Sequence, residues 1–407
     1  MNAPDRPTVA IVGTLDTKGA EYGFLRDRLL EQDVDVLVVD VGVDEPQIAP
    51  DISRTEVAAA AGEDVAALAS ERDRGEATAA MGRGAAALLP RLHADGRFDA
   101  VLGAGGSGGS SIVSAGMRAL PVGVPKVLVS TLASGDTRPY VGAVDITMMY
   151  SVVDIAGINS VSARILTNAA GAVAGMARAT VPERQDRPVV AASMFGVTTP
   201  GVTRARERLE GLGYEVLVFH ATGTGGQSME VLADSGFLTG VLDLTTTELA
   251  DDLVGGVLSA GPDRLEAAGR AGLPQVVSLG ALDMVNFGPR DSVPEKFEGR
   301  NLYVHNPTVT LMRTTPEECR ELGRRIGTKL SAATGPTALF IPLEGISMIA
   351  VEGQPFHDAE ADRALLEGLR ETLEGSVEVH ELPHDINADA FADAMADRLH
   401  ELIRGTR

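Results

Sequence analysis

The sequence predicts an α/β protein of two Rossmann-like, three-layer domains with mainly parallel sheets. Three observations predict it. Short apolar, β-branched runs such as 8–13 and 189–194 alternate with stretches of helical periodicity, the pattern of strands buried between two layers of helices. Several of these runs break into glycine and hydroxyl residues just before the next helix, as ligand loops do at the carboxyl rim of a parallel sheet. The polar, proline-bracketed segment 181–188 divides a chain of 407 residues that is long enough for two cores, which sets domains at 1–183 and 184–407.

In the first half, strands are expected at 8–13, 34–40, 98–102 and 127–130, and helices at 20–32, 55–69 and 75–94. The stretch 159–177 is rich in alanine, glycine and serine at helical spacing, and such small residues permit close approach of another domain or a second copy. After 188 the second α/β unit follows, with strands at 189–194, 215–219, 240–244, 275–279, 302–305 and 338–342 and a helix at 202–211. Thr315-Pro316-Glu317-Glu318 reads as a helix start, with threonine as cap, proline at the first position and glutamate three beyond the cap.

Composition excludes several classes. Thirty-five Lys and Arg against 57 Asp and Glu give a net charge of −22, spread along the chain, which opposes a general grip on nucleic acid. Aromatic residues are 4% and tryptophan is absent, so stacking platforms for single strands are poorly supplied. The first residues carry no apolar signal core and no run approaches a membrane span, so a cytoplasmic protein without a membrane partner is expected. The single cysteine, Cys319, sits in a helical segment and reads as a packing residue.

Two loops carry the nucleotide chemistry. An apolar run at 101–104 enters Gly105-Gly106-Ser107-Gly108-Gly109-Ser110 and then a small-residue helix. Glycines let backbone N–H groups close around a phosphate, and a helix start offers free donors and the positive end of the dipole, although the same sequence also makes a tight crossover. The strand at 8–13 runs through Gly13 into Thr14-Leu15-Asp16-Thr17-Lys18-Gly19. Here Thr14 and Thr17 offer hydroxyls, Lys18 a cation for phosphate, and Asp16 a carboxylate for magnesium or a ribose. Neither loop has the spacing of a P-loop or of the dinucleotide fingerprint.

The second half holds candidate acid–base groups. His220 precedes the glycine-rich turn Thr222-Gly223-Thr224-Gly225-Gly226, while Asp283 and Asn286, and His305 and Asn306, follow predicted strands, with Arg313 beyond. Arg313 suits a small carboxylate or phosphate, either histidine suits proton transfer, and the turn and the two asparagines suit an acceptor; singly, each histidine also reads as a strand cap. No zinc-like spacing is present.

These motifs, in this order, resemble the family of the tomato mosaic virus resistance protein over nearly the whole chain. The resemblance rests on Gly13 to Gly19, Asp40-Val41-Gly42, Asp51-Ile52-Ser53-Arg54, Gly105 to Gly109, residues 121–126, residues 130–136, Tyr140-Val141-Gly142 with Asp145, and residues 283–288. It implies ATP bound in the first domain among the threonine-aspartate-threonine-lysine loop, the glycine-serine loop and the loop carrying Thr131, Ser134 and Gly135. It also implies a homodimer of two-domain subunits. The plant protein blocks viral RNA replication and has an added barrel domain absent from this sequence; that role is not transferred. The family commonly has threonine where this chain has Ser110, which keeps the hydroxyl.

The first functional expectation is an ATP-dependent enzyme acting on a small organic acid at the inter-domain cleft, by phosphoryl or adenylyl transfer. In it Asp16 or Asp145 carries Mg2+, Asp40 reaches the ribose, and His220, His305, Asp283 and Arg313 act on the acceptor. The alternative is an ATP-gated binding module without turnover. A nicotinamide oxidoreductase rests only on the Rossmann-like pattern and Asp40.

Overall fold

The computed structural model describes residues 6–71, 73–181 and 187–406. The chain divides into two compact units, Met1–Glu183 and Arg184–Arg407. The first five residues and most of the expected divider, from Pro182 to Asp186, lie outside the described residues.

The N-terminal unit runs β1 (Thr8–Gly13), α1 (Leu15–Leu30), β2 (Asp35–Asp40), α2 (Arg54–Ala60), α3 (Val65–Glu71), α4 (Arg74–Ala94), β3 (Ala100–Gly105), α5 (Ser107–Ala119), β4 (Lys126–Ser130), α6 (Arg138–Val141), β5 (Thr147–Tyr150) and α7 (Ser160–Arg178). The strands form one parallel sheet in the order β2-β1-β3-β4-β5. Alternation along the strands sorts the layers. Ile11, Leu102 and Val129 face α1 and α7, through Leu15, Tyr22 and Leu25 of one helix and Leu166, Ala169 and Val173 of the other. Gly103, one residue out of phase with Leu102, faces Val113 of α5.

On α7, Ala169, Ala170 and Ala174 are buried in the sheet-facing core, while a Cβ added to Gly171 or Gly175 would meet nothing within 4 Å. The loop expected at 14–19 holds one helical turn from Leu15, whose N–H the Asp40 carboxylate accepts at 3.2 Å, and the turn breaks at Lys18 (φ −130°, ψ 27°), so the continuous part of α1 begins next to the expected Ala20. The helix expected over 55–69 breaks at Gly62, whose φ of +77° is the left-handed cap between α2 and α3.

The C-terminal unit runs β6 (Val189–Met194), α8 (Thr199–Gly211), β7 (Glu215–His220), α9 (Thr224–Asp234), β8 (Gly240–Thr245), α10 (Glu248–Val254), α11 (Ala267–Arg270) and β9 (Gln275–Gly280). It continues with β10 (Met284–Phe287), β11 (Leu302–Asn306), β12 (Val309–Arg313), α12 (Pro316–Ser331), β13 (Thr337–Pro342), α13 (Ala359–Thr372), β14 (Glu378–Leu382) and α14 (Asp389–Gly405). Its main sheet is parallel in the order β14-β13-β9-β8-β6-β7, so both units share the order 2-1-3-4-5 in their first five strands. Thr315 caps α12 with the box read from sequence, and Cys319 lies buried on that helix. Between β9 and α12 the chain adds an antiparallel sheet, β10-β12-β11, that the sequence pattern did not reveal as such.

Candidate functional site

In a 2-1-3-4-5 sheet the chain leaves the first strand toward one edge and returns past it toward the other, which opens a crevice between the first and third strands at their carboxyl ends. In the N-terminal unit that crevice separates β1 from β3, and α1 and α5 begin beside it. Tyr22 of α1 fills its floor. The phenol O–H donates toward Val12 O at 2.6 Å and Ala104 O at 2.9 Å and accepts Ala104 N–H at 2.8 Å, so one side chain serves the polar groups of both diverging strands. Gly13 is glycine for this ring: a Cβ there would stand 1.8 Å from Tyr22 Cζ. Gly13 was read as part of the phosphate cradle, and the structure gives it this packing reason instead.

The start of α5 differs. Gly106, Gly108 and Gly109 have negative φ, and a Cβ on any of them would meet nothing closer than 3.8 Å. Neither backbone conformation nor packing requires glycine there. The first N–H groups of α5, from Ser107 to Gly109, precede the Ser110 N–H that closes the opening turn onto Gly106 O at 2.8 Å. Ser110 itself points inward, with its buried hydroxyl 2.7 Å from Ser130 Oγ and donating to Gly105 O at 3.2 Å, so it ties α5 to β3 and β4 and is unavailable to a ligand. Thr131 joins the loop by donating its N–H to Gly105 O at 3.3 Å, while Ser134 and Gly135 sit in an exposed turn beyond. Arg74 and Thr78, at the start of α4, lie at ordinary van der Waals distance from the Cβ position of Gly108, at 3.9 and 4.0 Å. Sequence spacing could not show that, since 33 residues intervene between Arg74 and Gly108.

Across the crevice, Asp16 and Asp40 meet. Asp40 Oδ1 accepts Leu15 N–H and Gly42 N–H, and Asp16 Oδ2 accepts Val43 N–H at 3.2 Å and Asp44 N–H at 3.1 Å. Their other oxygens, Asp16 Oδ1 and Asp40 Oδ2, are buried without a hydrogen-bond partner. Burial raises the Asp40 pKa above the usual carboxylate range, backbone N–H groups oppose this and the nearby Asp16 adds to it. Thr14 and Thr17 hold each other, Oγ1 to Oγ1 at 3.0 Å. Lys18 departs from expectation: its ammonium donates to Ile155 O and so pins α1 to the segment before α7. Asp145 departs further. It lies at the amino end of the sheet, where it accepts Lys126 Nζ–H at 2.8 Å and Gly123 N–H at 2.9 Å, on the opposite rim from the loops, so it cannot share a magnesium ion with them. Among the described residues no group of three or more His, Cys, Asp or Glu side chains is placed to hold a metal unaided.

In the C-terminal unit the expected residues do not converge. The glycine-rich turn before α9 is already occupied, because Glu248 Oε1 accepts Gly223 N–H at 2.7 Å and Gly226 N–H at 3.1 Å. Gly226 is glycine because a Cβ would lie 2.1 Å from Glu248 Oε2, and Gly223 takes φ +86°. Gly225 packs on the backbone of His220, and Thr222 donates its hydroxyl to His220 O at 3.3 Å, which makes the turn self-contained. Behind it Arg264, fully buried, donates to Glu248 at 2.7 Å and to Asp243 at 2.7 Å; burial opposes its charge, but Asp243, Glu248 and Glu230 hold it. Asp283 is buried, accepts Ser347 Oγ–H at 2.8 Å, and has its carboxyl pushed up to about 6 by burial against the pull of Arg313. Asn286 donates its amide to Asp251 at 2.6 Å, a carboxyl pushed by burial to about 7. Arg313 is nearly buried and spends its guanidinium on Phe356 O at 2.8 Å, Thr314 Oγ1 at 2.9 Å and Asp362 at 2.9 Å. His305 and Asn306 stand exposed at the tip of the β11–β12 hairpin, outside the parallel rim where they were expected, and His220 stands exposed at the end of the edge strand β7. Among the described residues no hydrogen bond or ring contact joins the two histidines.

Comparison with known proteins matches the same two units. Residues 7–182 match the N-terminal domain, and residues 187–403 the C-terminal domain, of the uncharacterised protein family UPF0261. The chain belongs to this family. A UPF0261 protein of Clostridium tetani (strain Massachusetts / E88) is 55% identical over 90% of this chain and 91% of its own. The ToMV resistance protein Tm-1(GCR237) of Solanum lycopersicum is 45% identical over 68% of this chain and 37% of its own length, in keeping with the resemblance read from sequence. A putative UDP-N-acetylglucosamine 2-epimerase structure from Listeria monocytogenes aligns over 98% of this chain and 96% of its own, with 13% identity and a TM-score of 0.26. Among the described residues no helix is long and apolar enough to cross a membrane.

Proposed function

We propose that this protein binds ATP through its N-terminal unit, with the phosphates at the start of α5. One observation carries the reading. Gly106, Gly108 and Gly109 leave the first donors of α5 uncovered; Gly106 is the N-cap, a position where glycine is common, and at Gly108 and Gly109 in the first turn neither φ nor packing demands glycine. A phosphate that must approach the backbone closely supplies the reason. The contrast with the C-terminal unit supports it, since the glycine-rich turn there is filled by Glu248. Arg74, beside Gly108, adds a cation in place of Lys18, whose ammonium is held by Ile155 O.

Magnesium fits the same rim as a partner of the nucleotide. Asp16 Oδ1 and Asp40 Oδ2 are orphaned carboxylate oxygens, the hard donors that Mg2+ takes, and the ion characteristically completes its shell with phosphate and water. Asp40 Oδ2 equally suits a ribose hydroxyl. Bound Mg2+ would neutralise phosphate charge; Asp16 and Asp40 would hold and orient it.

Binding without turnover is favoured over acid–base chemistry by the residues expected to react. Arg313 is consumed in a buried pair with Asp362, Asp283 is buried with only one of its oxygens held, by Ser347, and His220 and His305 stand on separate exposed elements of the C-terminal unit. The test is calorimetric titration of the full chain with Mg-ATP, followed by product analysis with and without small organic acids. Saturable binding with ATP recovered intact supports this reading. Acid-stimulated release of ADP or AMP restores the enzyme, and a folded protein that binds no nucleotide overturns the site.

A further inference from the structure

A cleft of about 820 Å³ opens at the carboxyl ends of β9 and β13, and it includes none of the residues expected from sequence to meet a ligand. Its size lies within the range of small-molecule sites, and its position is the one where parallel sheets hold ligands. Leu279, Ile341, Ile346 and Leu365 underlie the cleft as packed core residues, and the apolar surface open to it comes from Leu343, Val351 and, on α13, Leu366. The cleft is built rather than left over. The loop after β13 is fixed by Ser347 Oγ–H donating to Asp283 at 2.8 Å, by Ala281 N–H donating to Ile346 O at 2.8 Å, and by Ile386 N–H donating to Gly345 O at 2.9 Å. Gly345 takes φ +139°, and a Cβ there would meet Val351 Cγ1 at 2.7 Å, so the turn that shapes the rim requires glycine.

The charges on the rim sort by whether they are already satisfied. Asp362 is paired with Arg313 at 2.9 Å and Arg370 with Glu381 at 2.8 Å, Asp385 accepts Asn387 N–H at 2.8 Å, and His357 Nδ1 lies 3.4 Å from Ala350 O. Arg363 on α13 and Glu344 and Glu352 on the loop after β13 line the cleft with side chains that make no ion pair or hydrogen bond among the described residues. One free guanidinium and two free carboxylates around an apolar surface complement a ligand that carries a carboxylate, an ammonium group and an apolar side chain.

We propose that this cleft binds a zwitterion with an apolar side chain, an amino acid or a short peptide, with its carboxylate on Arg363, its ammonium group at Glu344 and Glu352, and its side chain against Leu343, Val351 and Leu366. The site lies wholly within the C-terminal unit and does not rest on the nucleotide reading.

Calorimetry of the full chain with L-leucine, L-phenylalanine and Leu-Leu, against isovalerate and isoamylamine, tests it. The zwitterions are expected to bind at least about tenfold more tightly than either single-charge analogue, and Arg363→Gln to weaken them about tenfold without lowering the melting temperature. A preference for Leu-Leu identifies a peptide and a preference for leucine a free amino acid, and both support the site. The proposal is overturned if no zwitterion binds the folded protein at about 10 mM, if isovalerate binds as well as leucine, or if Arg363→Gln changes nothing. ATP titrated into the same preparation keeps the two readings separable, since loss of one leaves the other standing.

Discussion

Tyr22 occupies the space that any side chain at position 13 would need: its ring lies 1.8 Å from a Cβ built on Gly13, and its hydroxyl is held by Val12 and Ala104 on two different strands. The ring cannot swing aside without breaking those bonds. Gly13→Ala is therefore expected to destabilise the protein by about 1–3 kcal/mol through overpacking. Tyr22→Phe, which leaves Val12 O and Ala104 N–H unserved, should cost a similar ~1–3 kcal/mol. Urea unfolding midpoints of the two variants check this, and native-like stability of Gly13→Ala would refute the packing reason.

Position 106 should behave in the opposite way. Its nearest neighbour to an added Cβ is Thr131 Oγ1 at 3.8 Å, so Gly106→Val is expected to shift stability by no more than about 1 kcal/mol while weakening ATP at least about tenfold. Lys18→Ala, which removes a bond to Ile155 O, should alter unfolding more than ATP affinity. Parallel melting and ATP titration of both variants separate the roles.

Glu248 acts as a built-in anion at the start of α9 and as a partner of buried Arg264. Glu248→Ala breaks a buried network on one side and is expected to cost about 3–5 kcal/mol. The same change uncovers the Gly223 and Gly226 N–H groups, so sulfate should stabilise the variant more than the native chain. Thermal melts with and without sulfate at equal ionic strength give the comparison.

Asp283 makes stability depend on pH in a defined sense. Its carboxyl is pushed up to about 6 in the folded state, chiefly by burial, so the native chain holds a proton that the unfolded chain releases near pH 4. The folded-state advantage is complete below about pH 4 and fades as pH rises through about 6. Asp283→Asn, neutral throughout, should lack that contribution, so its stability relative to the native chain is expected to rise by about 2 kcal/mol between pH 4 and 7. Denaturant titrations at several pH values across that window decide it; a difference independent of pH would mean the carboxyl titrates normally.

Asp145 supplies the outward partner of Lys126, whose side chain is fully buried and whose pKa is lowered by burial against the hold of Asp145. Asp145→Asn is expected to lower stability and leave Mg-ATP affinity unchanged. A fall in magnesium dependence would return it to the metal.

What the sequence by itself determined is the repeating part. Buried β-branched runs, helical periodicity and turn residues are local signals, so the parallel sheets, the start of α12 at Thr315 and the glycine-rich start of α5 were legible without coordinates. Family membership was legible for the same reason, because whole motifs survive in order. Tertiary structure alone decided which glycines face a ring, a carboxylate or open space, since Gly13 meets Tyr22, Gly226 meets Glu248 and Gly106 meets nothing close. It also decided that Arg313 pairs inward with Asp362 and that Asp283 is held by Ser347, that Asp145 faces the wrong rim, and that β10, β11 and β12 form an antiparallel sheet. The physical reason is common to these cases: a glycine or a charged side chain takes its role from atoms that approach it across space, and buried partners such as Glu248 and Arg264 leave no periodic trace along the chain.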